Sequence, residues 1–177
     1  MHVLTPLSHR QHICVSKRIP TSGFCTTRFT ARRDQRGLRC QVFAEWLKRR
    51  PDWVIGDFGC GEAELARLAP NKVYSFDHVA VNESVIVCDM LATGLAEHTL
   101  DVAVFSLSLM GLNYQDYLRE AHRLVRYGGW LKVAEPASRW KERNLEELLG
   151  AITASGFAIV GQPTYRDRFI YLDAIKS

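Results

Sequence analysis

Four short stretches carry residue types that could hold a ligand. Asp57-Phe58-Gly59-Cys60-Gly61 places two glycines directly after an apolar run, where a strand would turn into a helix. Glycines at such a turn let the backbone come close to a bound molecule. Asp77 ends the next apolar run, eighteen residues after Gly59, and a carboxylate there can accept from both hydroxyls of a ribose. Asp89 and Met90 end the third run. Asp89 can accept from an adenine amino group, and Met90 can cover the adenine face with a polarizable thioether. Ser106 and Ser108 lie in Phe105-Ser106-Leu107-Ser108-Leu109-Met110-Gly111, which closes the fourth run. Buried serines need hydrogen-bond partners, and a ligand could supply one. Each feature also has a plainer reading: a tight turn at the glycines, a solvated turn aspartate at 77, a loop aspartate at 89 and a core methionine at 90.

The residue at position 64 helps to choose the ligand. A dinucleotide fingerprint wants a third glycine there, but this chain has Glu64. A glutamate would repel a pyrophosphate. S-adenosylmethionine has an adenosine, a sulfonium and no phosphate, so the departure favours a methyl donor over NAD.

The elements that must position these residues follow from hydrophobic spacing. Residues 1–39 show no sustained period and are rich in Ser, Thr, Arg and Gly, which predicts a poorly ordered arm followed by a domain over 40–177. Cys40 to Arg50 reads as a helix stopped by Pro51. Strands are expected at 53–58, 73–76, 85–88, 102–107 and 130–134. A short helix spans Glu62–Ala69. A longer one begins near Asn113, with Asp116 placed as in a capping box, and closes at Gly128-Gly129. Leu145, Leu148, Leu149 and Ile152 mark another helix, ending at Gly156. The last strands, Phe157–Val160 and Phe169–Ala174, are separated by a segment too short for a crossover helix and should be antiparallel neighbours. The pattern predicts an α/β, Rossmann-like, mostly parallel seven-stranded sheet with a C-terminal antiparallel hairpin, binding its ligand at the carboxyl ends of the central strands.

The 177 residues suit one domain with a sizeable core. The longest apolar stretch, Val102 to Leu112, is too short to span a bilayer. Five cysteines, Cys14, Cys25, Cys40, Cys60 and Cys88, form no C-x-x-C pair and read as free thiols. His9 and His12 have metal-like spacing but no partner cluster, so no metal site is expected. Charge is uneven. Residues 1–50 hold eleven Lys/Arg against Asp34 and Glu45, which leaves twelve basic and seventeen acidic residues for the remainder. Such an arm suits RNA contact or, for residues 1–33, an organelle transit peptide.

The phrases V-I-G-D-F-G-C-G-E, V-C-D-M, D-V-A-V-F-S-L-S-L-M-G and G-G-W-L-K-V-A-E, in this order and spacing, resemble the ribosomal RNA-processing protein 8 family, also called nucleomethylin. The resemblance covers about residues 42–175. It implies a class I methyltransferase that uses S-adenosylmethionine to methylate N1 of an adenine in large-subunit ribosomal RNA. It also implies donor contacts at Gly59, Asp77, Asp89, Met90 and Ser106, the last being Cys in some members. Localisation would be nuclear or nucleolar in a eukaryote, cytoplasmic in a bacterium. One departure stands out. The family usually carries a segment like Y-H-x-G-F, then Q-x-x-x-W-P, and its histidine also contacts the donor. Here Gly23-Phe24 looks similar, Thr21 and Ser22 stand where the aromatic-basic pair would be, and no W-P follows.

Attack by the N1 lone pair needs no dedicated general base, only alignment and exclusion of water, and the target base must be unpaired or flipped out. No catalytic residue is assigned. Glu135, Arg139 and Ser108 are candidates near strand ends, and Glu135 could equally be a helix-capping or surface group. A small-molecule methyltransferase on the same fold, or a donor-binding adaptor without activity, would leave the same motifs.

Overall fold

The structure is a computed structural model that describes residues 33–141 and 143–177. The predicted elements that fall on residues 1–32, including His9, His12, Cys14, Cys25 and the Thr21–Phe24 stretch, lie outside the described residues. In chain order the elements are α1 (Arg33–Leu47), β1 (Val54–Phe58), α2 (Glu64–Leu68), β2 (Lys72–Asp77), β3 (Val85–Val87), β4 (Leu100–Ser106), α3 (Tyr114–Leu124), β5 (Val125–Pro136), α4 (Arg143–Ala154), β6 (Phe157–Arg166) and β7 (Phe169–Lys176).

The strands form one sheet in the order β3-β2-β1-β4-β5-β7-β6. β3, β2, β1, β4 and β5 pair in parallel, while β7 runs antiparallel to both β5 and β6. The Rossmann-like sheet and its C-terminal hairpin are therefore those expected from the alternation of elements. The strand order reverses between β1 and β4, and the crevice at such a switch point is where this architecture takes its ligand.

Two hydrophobic layers cover the sheet. Alternate residues of each strand face opposite ways. Phe58, Ala103, Phe105, Leu131 and Val133 join Tyr117, Leu118, Ala121, Leu148 and Ile152 from α3 and α4 in the larger layer. Ile55, Val102, Val104 and Ala134 meet Phe43, Ala44 and Leu47 of α1 and Leu65 of α2 in the other. Three phenylalanines sit side by side near the carboxyl ends of the central strands. Phe58 is in register with Phe76 on one side and Phe105 on the other. Their ring centroids lie 5.3 Å and 4.9 Å apart, and all three side chains are fully buried.

Four local expectations are corrected. The first helix begins at Arg33, seven residues earlier than its apolar face predicts, because Arg39 is buried and belongs to the packed face. Asn113 makes no side-chain cap; its amide donates to the Tyr117 hydroxyl, 3.3 Å away. Gly128-Gly129 does not close α3. The helix ends at Leu124, since Val125 is already extended and pairs with Leu100 of β4. The glycine pair lies inside β5, where the register shifts before Trp130 meets Val102. β6 runs on to Arg166 because its pairing with β7 resumes at Thr164 after an irregularity, of the kind an edge strand absorbs.

Candidate functional site

The turn after β1 is built by hydrogen bonds from the neighbouring strand. The amides of Gly59 and Cys60 both donate to the carbonyl of Phe76, at 2.8 and 3.0 Å. Asp77, the next residue, receives the Gly61 amide on one carboxylate oxygen at 2.8 Å and the Val79 amide on the other at 3.3 Å. The β1 turn and the end of β2 are thus one unit. The two glycines do different work. Both have positive φ, 74° at Gly59 and 56° at Gly61. A Cβ on Gly59 would lie 2.5 Å from the Cβ of Ser108, so its close approach is to the loop after β4. A Cβ on Gly61 would meet nothing within 4 Å. The open backbone that a ligand could approach is at Gly61; the sequence reading gave both glycines that role, and the resemblance singled out Gly59.

The remaining sequence-chosen residues spread along the same edge. Asp89 is half-buried and accepts from the amide of Leu91 at 3.0 Å, closing its own turn. Met90 is packed in the larger hydrophobic layer with Phe76, Cys88 and Leu95, so its plainer reading as a core methionine fits its position. The hydroxyl of Ser106 accepts from Nε of Arg39 at 3.2 Å. The Arg39 guanidinium lies 4.5 Å from the centre of the Phe169 ring, which ties α1 to the ends of β4 and β7. Cys40 and Cys60 are free thiols, and Cys88 is buried. Burial, with added repulsion from Asp57, pushes Cys40 and Cys60 up to about 12, so both stay protonated at neutral pH. Among the described residues, no group of three or more His, Cys, Asp or Glu is placed to hold a metal ion.

Glu135, near the end of β5, is fully buried, which overturns its reading as a cap or surface group. One of its oxygens accepts from the amides of Ser108 and Leu109, at 2.8 and 2.9 Å. The other oxygen is buried without a hydrogen bond of good geometry, as are the Ser108 hydroxyl, the Tyr114 hydroxyl and the Trp140 indole nitrogen. Burial pushes the Glu135 carboxyl up to about 7, opposed by the two amides, Trp140 and Arg139.

Sequence reasoning missed Asp57 and Arg39. Asp57 is buried on β1, facing the α1 side of the sheet. It was read only as part of the glycine phrase. Arg39 was assigned to the arm, although Arg39, Phe43 and Leu47 follow one another at four-residue spacing on one helix face. Burial first, and then the charge of Asp77, push the Asp57 carboxyl up to about 7. An acid whose folded value is raised binds more protons folded than unfolded, so its contribution is complete below its unfolded value and is lost as pH rises through the folded one. Between about pH 4 and 7 the wild-type protein should lose stability relative to Asp57→Asn. Thermal melts of both across that range check this; a wild type that gains on the variant as pH rises would contradict it.

Ribosomal RNA-processing protein 8 of Rattus norvegicus is 42% identical over 135 residues, covering 76% of this chain and 29% of the rat protein. The 25S rRNA (adenine(645)-N(1))-methyltransferase of Schizosaccharomyces pombe is 43% identical over 114 residues, covering 62% of this chain and 36% of that protein. The chain therefore matches only about a third of the length of these relatives. Among solved structures, the 1,6-didemethyltoxoflavin-N1-methyltransferase of Burkholderia thailandensis superposes with a TM-score of 0.62 over 80% of this chain and 78% of its own, at 19% identity, a likeness of fold. The family described as hypothetical methyltransferase matches residues 37–177. The chain belongs to that methyltransferase family.

Proposed function

We propose that this chain transfers a methyl group from S-adenosylmethionine to N1 of an unpaired adenine in large-subunit ribosomal RNA. The observation that carries the donor assignment is the open turn at Gly61, bounded by the carboxylates of Asp77 and, behind it, Asp57. An Asp77 carboxylate close enough to raise the Asp57 carboxyl makes the turn favour a cation and disfavour a phosphate. A sulfonium nucleoside meets that condition and NAD does not. Asp77, with lone pairs left beyond its two amide bonds, would hold the ribose hydroxyls, and Asp89 the adenine amino group. Met90 would border the adenine from the core side, Gly59 would let the loop after β4 close on the donor turn, and Ser106 would bound the methyl end of the cleft.

When bound, the donor supplies an electrophilic methyl on a positively charged sulfur. What the chain must supply is geometry. N1 of neutral adenine has an in-plane lone pair and attacks without first losing a proton, so no residue has to act as a general base in that step. The strand ends and the loop after β4 hold the two reactants in line and keep water out. N1 lies on the Watson–Crick edge, so the base must enter unpaired or flipped.

The ribosomal RNA substrate is supported by the family resemblance and by the Schizosaccharomyces pombe relative, a 25S rRNA adenine-N1 methyltransferase. It also fits the basic residues Arg10, Lys17, Arg18, Arg28 and Arg32, which lie before α1 with no acidic residue among them. Action on that RNA would belong in the nucleolus of a eukaryote or the cytoplasm of a bacterium. No described helix is long and apolar enough to cross a membrane.

Calorimetry with S-adenosylhomocysteine tests the donor assignment. Asp77→Ala should weaken binding by about 1.5–3 kcal/mol, the worth of hydrogen bonds to a charged acceptor, while the chain stays folded. Equal affinity for wild type and variant would remove Asp77 from the site. A second experiment addresses the RNA. Deleting residues 1–32, which leaves α1 whole, should lower RNA affinity and make its salt dependence shallower, because fewer phosphates exchange their counterions. The same affinity and the same salt slope would show that RNA is held elsewhere.

A further inference from the structure

The loop after β4 is tied down by three backbone amides in succession. Leu107 donates to the carbonyl of Ala134 at 3.0 Å, and Ser108 and Leu109 both donate to one oxygen of Glu135. Leu107 adopts a positive φ of 61°, unusual for a side chain of its size, so the loop leaves β4 through a sharp, disfavoured bend. Without an acceptor beneath it, the buried Leu109 amide and the half-buried Ser108 amide would lose their partner and the bend would have little to hold it. The same loop presses Ser108 against Gly59, at a distance that leaves no room for a Cβ. Glu135 therefore reaches the donor turn through one intermediate, Ser108.

We infer that Glu135 is a positioning residue of the methyl-transfer site: by accepting from the Ser108 and Leu109 amides it holds the loop after β4 against the Gly59 turn, and so sets how firmly the donor is bound. This rests on the donor assignment proposed above. Glu135 touches neither reactant; it acts through Ser108. The state of its carboxyl then matters. A charged acceptor makes shorter and stronger bonds to two amides than a neutral one. Burial holds this carboxyl near about 7, so the bonds strengthen as pH rises through neutrality. Arg139 is the charged group that acts on Glu135, while Ile170, opposite it on β7, and Ser108 and Leu109 above it carry no charge. Asp57 titrates in the same range from the other face of the sheet, and a test must separate the two.

S-adenosylhomocysteine affinity, measured between about pH 5.5 and 8.5 with a thermal melt at each point, separates them. Wild type should bind more tightly as pH rises. Glu135→Gln keeps an amide acceptor without the charge; it should fold and show a clearly smaller rise. Glu135→Ala should bind about tenfold more weakly or worse at the upper end, for want of both amide partners. If Glu135→Ala does not fold, the pH profile of Glu135→Gln decides. A Glu135→Gln profile as steep as wild type, or a folded Glu135→Ala that binds as tightly, overturns the inference while leaving the donor assignment standing. A wild-type protein that binds no S-adenosylhomocysteine at all overturns the donor assignment, and this inference with it.

Discussion

Phe58, Phe76 and Phe105 stand in register at the ends of three neighbouring parallel strands, and everything at the candidate site is placed relative to that row. Side chains on a strand alternate, so a slip of one residue would turn each ring to the wrong face of the sheet. Burying three such rings contributes several kcal/mol, and a register that exposed them would forfeit it. The residue after each phenylalanine is therefore fixed in height and direction: Gly59 after Phe58, Asp77 after Phe76, Ser106 after Phe105. Residues far apart in sequence reach one edge of the sheet because three apolar side chains have nowhere else to go.

Above that floor the dominant energies are electrostatic. Asp57 and Glu135 are both buried carboxyls with raised proton affinity, on opposite faces of the sheet. A buried acid at such a position costs stability at neutral pH. Acids with raised proton affinity collect at binding sites, which fits the proposed donor site. Here the two differ in use. Asp57 sits near Asp77 and Cys60 at the glycine turn, and Glu135 accepts from two backbone amides.

The sheet was legible in the sequence because its signals are local and strong: apolar runs of strand length, punctuated by glycine, proline and helical spacing. The strand-end residues were legible for the same reason, since a residue that ends an apolar run ends a parallel strand at the ligand edge. What was not legible depended on contacts between distant segments. Nothing near Arg39 in sequence announces that its guanidinium reaches Ser106 and Phe169. Nothing near Gly59 announces that Ser108 fills the space beside it, so the choice between Gly59 and Gly61 as the open glycine could not be made. Glu135 looked like the end of a strand, and only the fold shows the two amides that cover it. The capping expectation at Asn113 failed for a local reason: the Asp116 amide that a cap would bind donates instead to the Asn113 backbone carbonyl at 3.0 Å.

Methyl transfer to N1 of an unpaired adenine can be read directly from the product. The most direct measurement incubates the protein with large-subunit ribosomal RNA and S-adenosylmethionine labelled on the methyl group, digests the RNA to nucleosides and identifies the labelled one. Label is expected in 1-methyladenosine, lost when the target strand is first paired with a complementary oligonucleotide. Label in any other nucleoside, or none in RNA from a protein shown to bind the donor, would contradict it.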